Sequence, residues 1–254
     1  MIELIRNCSH GSEIATYLVS EGGLSRHIIK VASTPAGIKN LKCEIKGWDW
    51  YQKARYQQDR DPVCRIIRDK NDYLKIRIEF IDGIKADYAR GLEKNAAIIK
   101  KVFEHYCSIF PYYTDRLSPF HGDFSVDNVI LNSGGIHIID WEHFNPNGAP
   151  WGFDALYLLF ETLYFGMRNR KRPSQNEINI ISDSINFLNT NDRLDRQIME
   201  HPLKFIRSFI NDNSELWCEQ LTAFPNKLPV LAFTDDQVAL IDDMVFSNLK
   251  SDKA

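Results

Sequence analysis

The sequence contains few cysteines, and no arrangement of them suits a metal site or a disulfide framework. The five cysteines are odd in number and scattered along 254 positions, at Cys8, Cys43, Cys64, Cys107 and Cys218. No CxxC motif and no Cys/His pair has zinc-ligand spacing. Such cysteines are typical of a reducing compartment, where they act as small buried apolar side chains. We therefore predict a cytoplasmic protein.

Long apolar runs are also missing from the sequence. The first ten residues, MIELIRNCSH, lack the apolar core of a signal peptide, and no window approaches the length of a membrane span. We expect no transmembrane segment. Peripheral contact with a membrane is left open.

Runs of one charge sign are absent as well. The chain has 31 basic and 34 acidic residues and a formal net charge of -3. Nucleic-acid binding depends on concentrated positive charge, so we expect no nucleic-acid partner. A hydrophobic content of 44% and a charged content of 26% are ordinary for a soluble globular chain long enough to build two lobes.

Regular alternation of strand and helix is absent, which argues against a parallel sheet. Before residue 82 the stretches EIATYLVS and HIIKVAS have the period of strands, and one helix begins near Thr34 and Pro35. From about residue 87 the apolar spacing is mainly helical. We predict an α+β chain, with a small antiparallel sheet and one helix in residues 1–82 and a larger, mostly helical lobe in residues 83–254.

One hairpin interrupts the helical part, in the stretch HGDFSVDNVILNSGGIHIIDWEHF of residues 121–144. Two short β-branched runs flank Asn-Ser-Gly-Gly, which suits a tight turn. Asp123 and Asn128 precede the hairpin and Asp140 follows it, so these polar groups should converge. Converging buried carboxylates repel each other unless a cation lies between them, and the pattern therefore predicts a metal site.

The motif HGDFSVDN, followed by an apolar strand and IIDW, resembles the aminoglycoside phosphotransferase and choline kinase family. The resemblance implies a two-lobed protein-kinase-like fold, with ATP and Mg²⁺ as cofactors. It also implies that Asp123 orients the acceptor hydroxyl and accepts its proton, while Asn128 and Asp140 hold magnesium. Under the same resemblance His121 is structural, and Ser125 contacts the γ-phosphate.

The family also carries a lysine on the third strand and a glutamate on the following helix. Lys30 in HIIKVAS and Glu44 in NLKCEIKGW match these positions. The resemblance implies that Lys30 contacts the α- and β-phosphates and that Glu44 pairs with it. Lys30 should lie on the strand face opposite Ile29 and Val31. A solvent-facing lysine and an exposed helix acid are the alternatives for these two residues.

The sequence departs from protein kinases at two motifs. The glycine-rich loop is reduced to SHGSE, in which the backbone amides of Gly11 and Ser12 would bind phosphate. Asp-Phe-Gly is replaced by Asp140-Trp141-Glu142, which resembles the choline kinase branch and implies that Glu142 either binds the metal directly or supports a residue that does. The downstream WGFD is similar to that branch too, and implies that Asp154 stabilises the lobe at a helix start.

The acceptor is predicted to be small. Only residues 141–153 separate Asp140 from Asp154, which leaves no long platform for a peptide substrate. We expect a kinase that phosphorylates a choline- or ethanolamine-like amino alcohol or a sugar of a surface polysaccharide. An aminoglycoside-type antibiotic kinase is the alternative, and a pseudokinase that binds a nucleotide or a partner is the rival of another class. Candidate residues for binding an acceptor cation are Glu161, Glu215, Trp217 and Glu219.

Overall fold

The computed structural model describes residues 1–6, 14–21, 25–56, 61–87, 90–114, 117–167, 170–190, 192–217 and 228–251. Five antiparallel strands form one sheet in the order β1-β2-β3-β5-β4. These strands are β1 (Ile2–Arg6), β2 (Ile14–Glu21), β3 (Ser25–Ala32), β4 (Cys64–Lys70) and β5 (Tyr73–Glu79). The predicted antiparallel sheet in the first part of the chain is confirmed.

Helix α1 (Pro35–Tyr56) connects β3 to β4 and packs against the sheet. It begins at Thr34, as predicted, because the Thr34 hydroxyl oxygen accepts a hydrogen bond from the Gly37 backbone N–H at 3.2 Å. The helix buries a stripe at spacings of three and four residues, which is the period of an amphipathic helix. The large side chains of this stripe are Ile38, Leu41, Glu44, Trp48 and Tyr51.

The pairing register decides which face of β3 carries Lys30. Lys30 lies opposite Thr16 on β2 and Ile76 on β5. Directly paired residues project to the same face of a sheet, and successive residues project to opposite faces. Lys30 therefore projects to the same face of the sheet as Ile76, which is fully buried. Ile29 projects to the other face. The exposure of Lys30 is only 7%, so the solvent-facing alternative is wrong.

The rest of the chain is mainly helical, which confirms the α+β class. Besides the predicted hairpin, the described residues contain two short antiparallel pairings, of Ser118–Phe120 with Asn145–Ala149 and of Ile84–Lys85 with Val129–Asn132. The elements are β6 (Ile84–Lys85), α2 (Gly91–Ile109), β7 (Ser118–Phe120), β8 (Val129–Asn132), β9 (Gly135–Ile138), β10 (Asn145–Ala149), α3 (Phe153–Gly166), α4 (Gln175–Leu188), α5 (Arg196–Glu200), α6 (Pro202–Asp212) and α7 (Asp235–Ser251). Within the described ranges, no helix is both long and apolar enough to cross a membrane.

The predicted hairpin is present as β8 and β9. Its register pairs Val129 with Ile138 and Asn132 with Gly135. Gly135 has a φ of +98°, a conformation that a residue with a β-carbon adopts only with strain. The Ile139 N–H donates to the Asn128 carbonyl oxygen at 2.9 Å, so the two ends of the hairpin are bonded to each other.

Helix α3 lies in the middle of the helical core. Every residue from Phe153 to Leu163 is buried, and the helix packs against α2, α4 and α6. A helix that is apolar all round belongs in a core. Two acids nevertheless interrupt it, at Asp154 and Glu161, and both are buried. Burying a carboxyl group is unfavourable unless it has partners, so each of these acids requires an explanation.

Close packing at Gly47 brings α1 against the segment that follows the hairpin. A β-carbon there would lie 2.5 Å from Trp141 Cβ and 3.0 Å from Phe144 Cβ. We expect Gly47→Ala to lower the unfolding free energy, because overpacking costs ~1–3 kcal/mol. That cost should outweigh the helix propensity of alanine, which is ~1 kcal/mol better than that of glycine.

Urea denaturation measures this difference. Lys46→Ala, at the exposed neighbouring position of the same helix, is the matched control and should leave stability within about 0.5 kcal/mol of the wild type. A Gly47→Ala protein more stable than the wild type would show that α1 does not press on Trp141.

Candidate active site

A buried ion pair joins the sheet to α1. Lys30 Nζ donates to Glu44 Oε2 at 2.6 Å, and neither side chain exposes more than 8% of its surface. The second oxygen of Glu44 accepts a hydrogen bond from Trp48 Nε1 at 3.1 Å. Both carboxylate oxygens of Glu44 are therefore bonded, and the alternative of an exposed helix acid is wrong for this residue.

The same lysine also contacts the end of the hairpin. Lys30 Nζ lies 2.5 Å from Asp140 Oδ1. Burial alone lowers the pKa of Lys30, but the charges of Asp140, Glu44 and Glu142 raise it by more, so its pKa is above the ordinary lysine value. Lys30 is therefore a permanent cation at the meeting point of β3, α1 and the hairpin.

Three carboxylates surround this cation. One ligand oxygen from each of Glu44, Asp140 and Glu142 lies within 4.8 Å of the others. Burial, and then Asp140 and Glu142, raise the pKa of Glu44 to about 7 against the opposing charge of Lys30. Lys30 brings one positive charge to these three carboxylates, and His143 Nε2 lies 3.8 Å from Glu142 Oε1. Clustered carboxylate oxygens are the ligands that Mg²⁺ prefers, so a divalent cation fits this group.

Asp140 adopts an unusual backbone conformation. Its φ is +65°, in the left-handed region that residues other than glycine rarely occupy. Hydrogen bonds fix the residues on either side: Ile139 N–H donates to Asn128, and Trp141 Nε1 donates to the Ile138 carbonyl at 3.0 Å. Strained conformations of this kind persist where the surroundings impose them, and they concentrate at functional sites.

Asp123 lies in the loop before the hairpin. Asn128 Nδ2 donates to the Asp123 carbonyl at 2.8 Å and to its carboxylate Oδ2 at 3.3 Å. Burial, together with the charges of Asp140, Glu142 and Asp127, raises the pKa of Asp123 to about 6, although His143 opposes the rise. A carboxylate with a pKa near neutrality is suited to accept a proton from a hydroxyl group.

His121 and Asp154 hold this loop in place. The backbone N–H groups of His121 and Gly122 donate to the two oxygens of Asp154 at 2.8 and 3.4 Å. His121 Nε2 lies 3.0 Å from the Ile139 carbonyl, and its Nδ1 lies 3.3 Å from the Asp123 N–H. Burial lowers the pKa of His121 to about 4. A neutral ring that donates from Nε2 and accepts at Nδ1 satisfies both contacts, which accounts for the buried histidine.

Ser125, Gly11 and Ser12 are the remaining residues predicted to contact the nucleotide. The Ser125 hydroxyl donates to the Asp127 carboxylate. Its contact to a phosphate stays a prediction. Gly11 and Ser12 lie outside the described residues.

The predicted metal ligands fall into two groups. Asp140 and Glu142 belong to the acidic cluster, together with Glu44, which was predicted only as the partner of Lys30. Asn128 is bonded to Asp123 instead through its amide nitrogen. Its role as a metal ligand stays a prediction that rests on its amide oxygen. The sequence signal for Glu44 as a possible ligand is slight, since the other acid of α1, Asp49, is five residues away and exposed.

Glu161 stands out among the residues proposed for an acceptor cation. It is 7% exposed, its Oε1 accepts a hydrogen bond from the Tyr157 hydroxyl at 3.5 Å, and its buried Oε2 has no hydrogen-bond partner among the described residues. Burial, and then the charges of Asp123 and Asp127, raise its pKa well above the usual value. Glu215 is exposed instead, and Glu219 and the side chain of Trp217 lie outside the described part of the structure.

No protein-family model matches the chain, and no curated protein matches it. An amicoumacin kinase, solved in complex with AMP-PNP, Ca²⁺ and Ami, shares the fold with a TM-score of 0.51 at 12% identity, over 98% of this chain and 88% of the other. An aminoglycoside phosphotransferase from Alicyclobacillus acidocaldarius subsp. acidocaldarius DSM 446 gives 0.50 at 10% identity, over 98% and 92%. The chain therefore has the protein-kinase-like fold of the aminoglycoside phosphotransferases, as predicted.

The ion pair of Lys30 and Glu44 yields a stability test. We expect Lys30→Met to lower the unfolding free energy by ~3–5 kcal/mol, because removing one partner leaves a buried carboxylate uncompensated. Lys30→Met combined with Glu44→Gln should recover part of this loss, since glutamine removes the charge and can keep the bond from Trp48.

Guanidinium denaturation of both variants measures the effect. Lys85→Met, at an exposed position of β6, is the control and should stay near the wild type. If the double variant were less stable than Lys30→Met alone, the charge of Glu44 would not be the cause of the loss.

Proposed function

We propose that this protein is a kinase that transfers the γ-phosphate of ATP to a hydroxyl group of a small molecule, with Mg²⁺ as the metal. The observation that carries the proposal is the convergence on one site of Asp123, the Lys30–Glu44 pair and the acidic cluster that contains Asp140. Residues 1–82 would bind the nucleotide, and residues 83–254 would carry the catalytic loop and the acceptor site. The cytoplasm, where ATP is abundant, is the proposed location.

The residues would act mainly by positioning and by balancing charge, which is how phosphoryl transfer is catalysed. Lys30, held by Glu44, would bind the α- and β-phosphate oxygens. Asp140 and Glu142, with Asn128 across the loop, would hold magnesium, and the bound metal would neutralise charge on the phosphates. Each of these groups is an oxygen ligand of the kind magnesium requires.

Asp123 would perform the proton transfer. Its carboxylate accepts the proton of the acceptor hydroxyl as the oxygen bonds to the γ-phosphorus and the bond from that phosphorus to ADP breaks. Asn128 fixes the orientation of this carboxylate through the hydrogen bond at 3.3 Å. His121 and Asp154 hold the loop backbone, so the base is held in a defined position before the acceptor binds.

The acceptor is proposed to carry an ammonium group. Glu161 presents a buried carboxylate oxygen without a described partner, and the charges that act on it come from Asp123 and Asp127. A cationic substrate would give Glu161 the partner it lacks. This observation favours an amino alcohol of the choline or ethanolamine type, or an aminated antibiotic, over a neutral sugar. The fold neighbours named for amicoumacin and aminoglycosides agree with an aminated acceptor.

Thermal shift with ATP and Mg²⁺, alone and together, tests the nucleotide site. A ligand at 100 times its Kd that binds only the folded state adds ~2.7 kcal/mol of stability. We expect the full shift only with both ligands. Asp140→Ala should lose most of it, whereas Asp123→Asn should keep it and lose transfer by about 10²- to 10⁴-fold.

Two outcomes would contradict these assignments. Unchanged turnover in Asp123→Asn would remove Asp123 as the base. A wild-type protein that shifts with Mg·ATP but releases no ADP with any acceptor would be a pseudokinase that binds nucleotide without transferring phosphate.

Glu161→Gln tests the class of acceptor. We expect the KM for a cationic amino alcohol to rise about tenfold or more, since hydrogen bonds to a charged group contribute ~1.5–3 kcal/mol. The KM for Mg·ATP should not change, and the rate of transfer to a neutral polyol should equal that of the wild type. Steady-state ADP release with choline, ethanolamine, an aminoglycoside and a sugar alcohol measures these constants.

Glu104→Gln, which removes an exposed acid on α2, is the matched control and should behave as the wild type. Equal losses with cationic and neutral acceptors would show that Glu161 supports the core of α3 and does not recognise an ammonium group.

A further inference from the structure

The last two turns of α1 are bonded to the hairpin that ends at Asp140. Arg55 lies in the last turn of the helix. Its Nη1 donates to the Ile136 carbonyl at 2.5 Å, and its Nη2 donates to the Gly134 carbonyl at 2.8 Å. One guanidinium group therefore binds the turn and the second strand of the hairpin together.

Tyr51, one turn earlier, binds the same strand. Its hydroxyl oxygen accepts hydrogen bonds from the Ile138 N–H at 3.1 Å and from Arg55 Nη1 at 3.0 Å. The hydroxyl also lies 2.9 Å from His105 Nε2, on α2. Tyr51 is 2% exposed, and its ring centroid lies 5.1 Å from that of Trp141. The contacts of Tyr51 thus reach both residues that flank the Ile139–Asp140 dipeptide.

These contacts connect the two elements that supply the partners of Lys30. Glu44 stands on α1, eleven residues and about three turns before Arg55. Asp140 stands two residues after β9. Lys30 Nζ is 2.6 Å from one carboxylate and 2.5 Å from the other. A continuous helix transmits a displacement of its end to its middle, so loosening α1 at Arg55 would move Glu44 relative to Asp140.

We propose that Arg55 and Tyr51 are positioning residues, which hold α1 against the β8–β9 hairpin and thereby fix Glu44 and Asp140 around Lys30. The kinetic consequence rests on the proposed function, whereas the structural consequence does not. The competing explanation is that Arg55 affects only its own turn, because an arginine in the last turn of a helix stabilises that turn through the helix dipole alone. The two explanations differ in how far the effect of removing Arg55 extends.

The rates of amide hydrogen exchange in Arg55→Ala distinguish these two explanations. We expect amide exchange to speed up by about tenfold or more at residues 42–46 and 138–142, which Arg55 itself does not bond. Arg55→Lys keeps one of the two carbonyl bonds and should give intermediate rates. Arg207→Ala, which removes an arginine paired with Asp235 between α6 and α7, is the control and should leave these segments unchanged. Faster exchange confined to residues 53–56 and 133–137 would overturn the proposal.

A double-mutant cycle on Mg·ATP affinity tests the connection to Glu44. We expect Arg55→Ala to weaken binding by about tenfold in the wild-type background and by less than about twofold in Glu44→Gln, because residues that act through one another are not additive. Equal effects in both backgrounds would overturn the proposal. A wild-type protein that transfers phosphate to no acceptor would refute the proposed function, and the cycle would still decide the role of Arg55. If the wild type did not bind Mg·ATP, the exchange pattern alone would decide it.

Discussion

The contact of one buried lysine with two carboxylates determines how the parts of this chain are arranged. Lys30 comes from the sheet, Glu44 from α1 and Asp140 from the end of the hairpin, so three elements distant in sequence meet at a single amine. Burying such charges is unfavourable, and their mutual contact is what compensates for it. The elements therefore cannot shift independently without exposing or separating a charge. The glycine at position 47 and the bonds of Arg55 and Tyr51 allow the close packing that this contact requires.

Around this ion pair the described residues carry more acids than bases. Glu142 joins Glu44 and Asp140, while Asp123 and Glu161 have pKa values raised first of all by burial. Raised carboxylate pKa values concentrate at functional sites, where a bound cation offsets the charge or the raised pKa is used, and they also occur in structural hydrogen-bond networks such as that of Asp154. Two different cations would offset this excess of acids. A metal would lie at the end of the hairpin, and an ammonium group would lie near Glu161 on α3.

Much of the fold and part of the site could be predicted from the sequence, because the information is local. The two-residue period around Lys30, the start of α1 at Thr34 and the ends of the hairpin depend on near neighbours in the chain. The left-handed backbone of Asp140, the place of Glu44 in the acidic cluster and the bonds of Arg55 to the hairpin could not be predicted in this way. Each depends on how segments about 80 to 110 residues apart pack together, which periodicity does not encode.

Helix α3 carries both the acid that supports the loop of Asp123 and the acid proposed to bind the acceptor. Asp154 supports the loop of Asp123 at its first turn, and Glu161 follows seven residues later on the same face, about 10 Å along the axis. Because every residue from Phe153 to Leu163 is buried, sliding the helix would disrupt its packing, and the helical rise sets the interval between these acids. A related chain could then change the length of the molecule it phosphorylates without rebuilding its catalytic loop. Moving the second acid by one turn would be enough to fit an acceptor of another length. The spacing of acids along one helix would then determine which acceptors proteins of this architecture phosphorylate.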